Sequence, residues 1–183
     1  MSLSSLRPPL LQAVDVADFD TVLERLSQQL AATAHVYDES GDFPQDSFKL
    51  LHEPGLLALT VPKALGGGGA CLVQARQVIA AVAKGEPSTA LILVMQYLQH
   101  SRLQGSRTWP EALRLRVAQD AVRDGALINA LRVEPDLGTP ARGGLAPTVG
   151  RRTSEGWRIS GRKIYSTGSH GLTWFNVWAR STD

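Results

Sequence analysis

Gly125 separates two kinds of sequence in this chain, and that change of pattern restricts its possible folds more than any other feature. Before Gly125, apolar residues recur at helical spacing. After it come short runs of β-branched and aromatic residues, set apart by turn formers such as Ser154, Glu155 and Gly156. Helices followed by strands, without βαβ alternation, predict an α+β protein. We expect an N-terminal all-α helical domain over residues 1–124, then a small antiparallel β domain over 125–183.

Five helices are legible. Val22, Leu23, Leu26 and Leu30 form one stripe between about Phe19 and His35, and the cluster YDESGDFP ends it. Pro44 opens a second helix carrying Phe48 and Leu51, which Pro54-Gly55 stops. Leu56–Val61 reads as a buried strand or extended run. The glycines Gly66 to Gly69 lack the Gly-Lys-Ser/Thr of a phosphate loop, so they read as a connector that lets backbones pass closely. A third helix spans about Leu72 to Lys84, with Cys71 expected as a small buried residue. Ser88 is the expected cap of a fourth helix, apolar on nearly all sides and therefore central. A fifth runs from Pro110 to Asp124 with Leu113, Val117 and Val122 inward. After Gly125 we expect strands in ALINALRV, APTVGRR, WRIS, RKIYST and WFNVWARS.

Charge also changes along the chain: 6 cationic against 10 acidic residues in the first hundred, then 13 against 7 from Ser101 onward. The arginines of the second half are spread over helix, loop and strand without a recognition helix or an aromatic RNA-binding motif, so nucleic acid is not the expected partner. A phosphorylated small molecule, or plain solvent, suits them better. One cysteine excludes an internal disulfide framework, and the four histidines lack metal-ligand spacing, so no metal is expected. No apolar run approaches the ~20 residues of a membrane span, and the start lacks a leader's apolar core. A cytoplasmic location is expected.

Two segments carry chemistry. In NALRVEPDLGTPARGG, residues 129–144, a strand runs into a loop whose glycines and Thr139 would let an anionic or carbonyl-bearing ligand approach the backbone. As a bland alternative, this is a surface turn. In GRKIYSTGSHG, residues 161–171, Tyr165 offers an aromatic face while Ser166 and Thr167 offer hydroxyls, a combination that suits a flat polar heterocycle. An edge strand with solvent-facing hydroxyls accounts for it equally well.

Taken in order, FPQDSFKLLHEPGLLALTVPKALGGGG, the E-P-x-x-G loop at Glu134–Gly138, GWRISGRKIYSTG and the closing W-A-R resemble the acyl-CoA dehydrogenase family across nearly the whole chain. That resemblance implies a helical N-terminal domain, a β middle domain and FAD as cofactor, part of the fold of an oligomeric flavoprotein oxidoreductase. Its cofactor-binding residues would be Ala130, Leu131, Arg132, Val133, Gly138, Thr139, Tyr165, Ser166 and Thr167, with Thr139 also reaching the substrate. The reaction it implies is α,β-dehydrogenation of an acyl-CoA or acyl-carrier thioester, with electron-transfer flavoprotein or oxygen as acceptor and a homo-oligomer as the assembly. The family's catalytic carboxylate lies on a C-terminal helical bundle, so by resemblance the chain is a fragment without a catalytic residue. Its fourth helix, Ser88–Leu103, is then expected to expose apolar surface and to drive self-association. Glu134 is no substitute base, since the matching Glu belongs to the loop.

Val133 stands where the family has Thr, Ala130 where it has an aromatic residue, and Thr139-Pro140 where it has Ser-Asp. These departures keep open a flavin-dependent monooxygenase of the same fold, which would use FMN. A third possibility is a non-catalytic remnant acting as an interaction module.

Overall fold

The structure is a computed structural model that describes residues 16–137, 141 and 143–182. Its helical half comprises α1 (Val16–Ser40), α2 (Gln45–His52), α3 (Leu72–Gly85), α4 (Pro87–Gly105) and α5 (Glu111–Asp124). Strands follow: β1 (Leu127–Leu131), β2 (Val149–Thr153), β3 (Gly156–Ser160), β4 (Leu172–Val177) and β5 (Arg180–Ser181). The α+β order is thus the observed one.

Local chemistry explains where the helices begin and end. The first helix continues through Ser40 instead of stopping near His35, because exposed Asp38 and Glu39 do not break a helix; Gly41, at φ 71°, does. The cap of α4 is Glu86, not Ser88. Pro87 takes the first helical position, where no N–H is needed, and the buried Glu86 carboxylate accepts from Ser88 N at 3.2 Å and Thr89 N at 2.9 Å. The run from Leu56 forms a 3₁₀ turn over Leu56–Ala58, entered through Gly55 at φ 82°, and is buried rather than a strand. Cys71 corrects another expectation: it caps the start of α3 and is exposed, with amides of that helix holding its thiol below the ordinary value.

The glycine run does pass other backbone closely. A Cβ on Gly67 would come within 2.3 Å of Val61 O, and one on Gly68 within 2.7 Å of Leu59 O. Gly68 N donates to Ala58 O and Gly69 N to Val61 O, so the segment returns along the 3₁₀ turn. At the α1–α3 crossing Gly85 serves the same purpose, lying against Ser27 O and Leu30.

The main core joins Leu23, Leu26, Leu30, Phe48, Leu51, Leu56, Val78, Val82 and Leu93, and it includes Leu127 of β1. The strand half therefore begins inside the helical core. On α4 the inward positions are not purely apolar: Gln96, Tyr97, Gln99 and His100 are buried, whereas Leu91 and Leu98 are exposed. The Gln96 amide explains this arrangement. Its Nε2 donates to Leu57 O at 3.2 Å and Ala126 O at 3.1 Å, and its Oε1 accepts from Ile128 N at 2.8 Å. Tyr97 Oη donates to Leu56 O at 2.8 Å. His100 lies 3.1 Å from Gln96 Nε2, and burial lowers its pKa to about 4.

The strands pair more variously than an antiparallel domain would. β2 and β3 form an antiparallel hairpin, but β1 pairs in parallel with β4, and β2 in parallel with β5. One segment, from Leu172 to Ser181, serves both sheets, turning the corner where Trp178 N donates to Leu131 O and Arg180 N to Thr148 O. RKIYST is not a strand. Lys163 turns inward and Tyr165 adopts φ 53°, which breaks the pleat, leaving Ile164 N donating to Val133 O.

Lys163 turns in toward Glu134. The side chains are 8% and 1% exposed, and Nζ lies 2.8 Å from the carboxylate. Lys163 also donates to Trp178 O at 2.6 Å, and Glu134 accepts from the Thr148 amide and hydroxyl. Burial pushes the Glu134 carboxyl up, yet the Lys163 ammonium and the Thr148 donors outweigh it and hold it below the usual carboxylate value. Four separate segments meet at this one ion pair.

Two outcomes follow. Lys163→Met leaves the buried carboxylate unpaired and is expected to cost about 3–5 kcal/mol in urea denaturation, much of it recovered by adding Glu134→Gln; a loss within about 1 kcal/mol for the single variant would refute the lock. His100 takes up its proton near 6.5 when unfolded but only at about 4 when folded, so unfolding binds a proton in mild acid and stability falls as pH drops. Between about pH 8 and about pH 5, where carboxylates stay ionised, the expected loss is about 2 kcal/mol. In His100→Gln that pH dependence should shrink by the same amount; an unchanged slope would show that other groups carry it.

Candidate functional site

The exit of β1 is built from its neighbours. Leu127, Ile128 and Asn129 are buried, Ala130 and Leu131 half-buried, and Arg132 exposed, so the strand emerges from the core as it reaches the first candidate segment. Asn129 points its amide at the second candidate segment: Nδ2 donates to Thr167 O at 3.0 Å, while Oδ1 accepts from Ala130 N at 2.7 Å. One strand turn further on, Ile164 N donates to Val133 O at 3.0 Å. The two segments, more than thirty residues apart in sequence, are thereby hydrogen-bonded side by side.

Of the expected cofactor residues, Ala130, Leu131, Arg132 and Val133 lie on or just past β1, and Tyr165, Ser166 and Thr167 lie on the adjoining turn. Gly138 and Thr139 fall outside the described residues. Tyr165 is 84% exposed and in the left-handed backbone region, an uncommon combination for a bulky residue. The turn is held there by Thr167 N donating to Tyr165 O and by Gly168, whose α-carbon packs against Ile92 of α4. Ser166 and Thr167 are half-buried, with hydroxyls that make no hydrogen bond among the described residues. The turn presents an aromatic face and two hydroxyls, a set that fits a flat heterocycle with carbonyl oxygens. Glu134, deprotonated and tied to Lys163 and Thr148, is not available to exchange protons with a ligand.

A cleft of about 340 Å³ opens at the C-terminal ends of β1 and β4. Ala130 and Arg132 line it together with Gln99, Arg102, Trp109 and Trp178, whereas Tyr165, Ser166 and Thr167 do not. A second cleft, of about 350 Å³, lies beyond Gly168 between Tyr37, Asp42, Phe43 and His170. Sequence reasoning missed Asn129 as the bridge, Lys163 as the lock and Gln99 as a cleft residue. None of the three carried a clear local signal, since Lys163 directly follows another cation, Arg162.

Residues 19–103 match the acyl-CoA dehydrogenase N-terminal domain. Over 155 residues the chain is 32% identical to a putative acyl-CoA dehydrogenase, YdbM, of Bacillus subtilis, covering 85% of this chain and 40% of that protein. It therefore spans about two-fifths of the length of that curated relative. In fold it resembles glutaryl-CoA dehydrogenase from Mycobacterium smegmatis, with TM-score 0.76 at 18% identity over 93% of this chain and 44% of that one. It resembles equally the FMN-bound form of TdsC from Paenibacillus sp. A11-2, with TM-score 0.76 at 18% identity over 90% of this chain and 40% of that one. TdsC is a dibenzothiophene monooxygenase, and at such identities both likenesses concern the fold alone. With residues 19–103 matched to the N-terminal domain model and the helix-to-strand architecture shared, the chain is similar in sequence and fold to the acyl-CoA dehydrogenase family.

Proposed function

We propose that this chain seats a flavin, FAD by preference, in an enzyme that dehydrogenates an acyl-CoA thioester between its α and β carbons. The observation that carries the reading is the joining of the two candidate segments by Asn129 and by the Ile164–Val133 hydrogen bond. Residues 1–124 act in this reading as the helical support, and residues 125–183 as the flavin-bearing module. Ala130 to Val133, with Gly138 and Thr139, form one side of the seat; Tyr165, Ser166 and Thr167 form the other. When bound, the flavin supplies an acceptor for a hydride from the substrate. Tyr165 would cover the ring and exclude water, while the hydroxyls of Ser166 and Thr167 orient its polar edge. Glu134 is held by Lys163 and Thr148, so this reading does not use it as the base. By resemblance, Thr139 would reach the cofactor or the thioester.

Val133 in place of a hydroxyl-bearing residue, and the fold shared with FMN-bound TdsC, favour a second reading in which reduced FMN and oxygen act on an aromatic or sulfur compound.

Titration of FAD and FMN into the purified chain, followed by flavin absorbance, tests the seat. Saturable binding is expected, weakened about 2- to 10-fold by Tyr165→Ala through lost ring contact; no saturable binding of either flavin would sink both readings. With flavin bound in the complete enzyme, anaerobic acyl-CoA should bleach it. Absence of bleaching, together with an oxygenated product from reduced flavin and oxygen, would replace the dehydrogenase with the monooxygenase.

A further inference from the structure

The cleft at the ends of β1 and β4 contains more chemistry than a flavin seat explains. Gln99 is only 4% exposed, yet its amide makes no hydrogen bond among the described residues, although it lines the cleft. The amide atoms are not sealed from solvent, so they are open to a ligand at the cleft. Arg102 from α4 and Arg132 from the β1 exit line the same space, and neither is in an ion pair or hydrogen bond among the described residues. Among the described residues, no carboxylate lines the cleft. Its apolar surface is aromatic: Trp109 from the loop before α5, and Trp178, whose ring is steadied by Lys163 Nζ 5.3 Å from its centroid.

Two unpaired guanidinium groups attract a doubly charged anion and match phosphate oxygens with a fork of donors. Indoles offer faces to a planar ring. Gln99 adds a donor and an acceptor for the edge of such a ring. We propose that this cleft is a binding site for a nucleoside monophosphate group, with its phosphate held between Arg102 and Arg132 and its base against Trp109 and Trp178. Tyr165, Ser166 and Thr167 do not line this cleft, whereas Ala130 and Arg132, also assigned to the flavin seat, do.

The test uses the whole chain, following tryptophan fluorescence during titration with AMP, adenosine and inorganic phosphate. AMP should change the emission saturably, phosphate should compete with it, and adenosine should bind at least about 10-fold more weakly because the arginines lose their partner. Raising the salt to about 0.5 M should weaken AMP further, as expected for an exposed charge contact. Arg102→Glu, an exposed position, should weaken AMP about 10-fold or more with flavin binding unchanged, and Gln99→Leu should weaken it without reversing the phosphate dependence. Circular dichroism confirms that each variant is folded. No saturation by AMP overturns the proposal, as does equal AMP affinity in Arg102→Glu. If AMP binding is instead lost in Tyr165→Ala and retained in Arg102→Glu, the nucleotide occupies the flavin bed and the cleft assignment is wrong. Loss of flavin binding with AMP binding intact would leave this site standing while removing the flavin reading.

Discussion

The two halves of this protein are held in register by a single wholly buried glutamine. Gln96 reaches from the middle of α4 to the 3₁₀ turn at Leu57 and to both sides of the first residue of β1. These are backbone groups that the helical core would otherwise bury without partners, and each unsatisfied one would cost roughly 1–3 kcal/mol. An apolar residue of similar size would fill the volume but leave three such groups stranded. The direction in which β1 leaves the core, and hence the position of everything after Leu131, depends on that amide.

A second polar device acts further out, in the strand half, where there is little apolar core to do the work. Most of β2 and β3 is exposed, with Trp157 and Ile159 on the surface. Shape here comes from Glu134 and Lys163, which tie the loop after β1, the residue before β2, the turn before β4 and the corner after β4 to one another. Buried ion pairs are weak sources of net stability but strong penalties against the wrong arrangement, because either partner alone is stranded. Lys163 is pulled inward by this pair, and the backbone beside it turns over at Tyr165 to leave that ring facing outward. An ion pair that contributes little to stability thus decides where the candidate flavin platform stands.

Much of the helical half was legible in the sequence, because each helix carries its own apolar period and its own breakers. Pro44, Gly85, Pro110 and Gly125 act within a few residues of themselves, and the structure places helix ends beside each. Ser88 misled because its hydroxyl resembles a cap, while the residue before Pro87 is the one whose side chain can turn back to the free amides. Leu56–Val61 misled because a short apolar run has no period long enough to separate strand from turn. Parallel pairing of β1 with β4 was invisible for a different reason: the partners lie some forty-five residues apart, and nothing local records which strand will be adjacent.

By itself the sequence determined the order of elements, the place where helix gives way to strand, the family likeness and the two segments that carry ligand-type chemistry. These depend on interactions between near neighbours, or on residue identities that survive without coordinates. Tertiary structure alone decided that the two segments touch, that Glu134 is committed to Lys163, and that Gln99 and Arg102 share a cleft with Arg132. Each of those facts is a meeting of side chains from distant parts of the chain, and it is set by the packing of α4 against β1, not by any local preference.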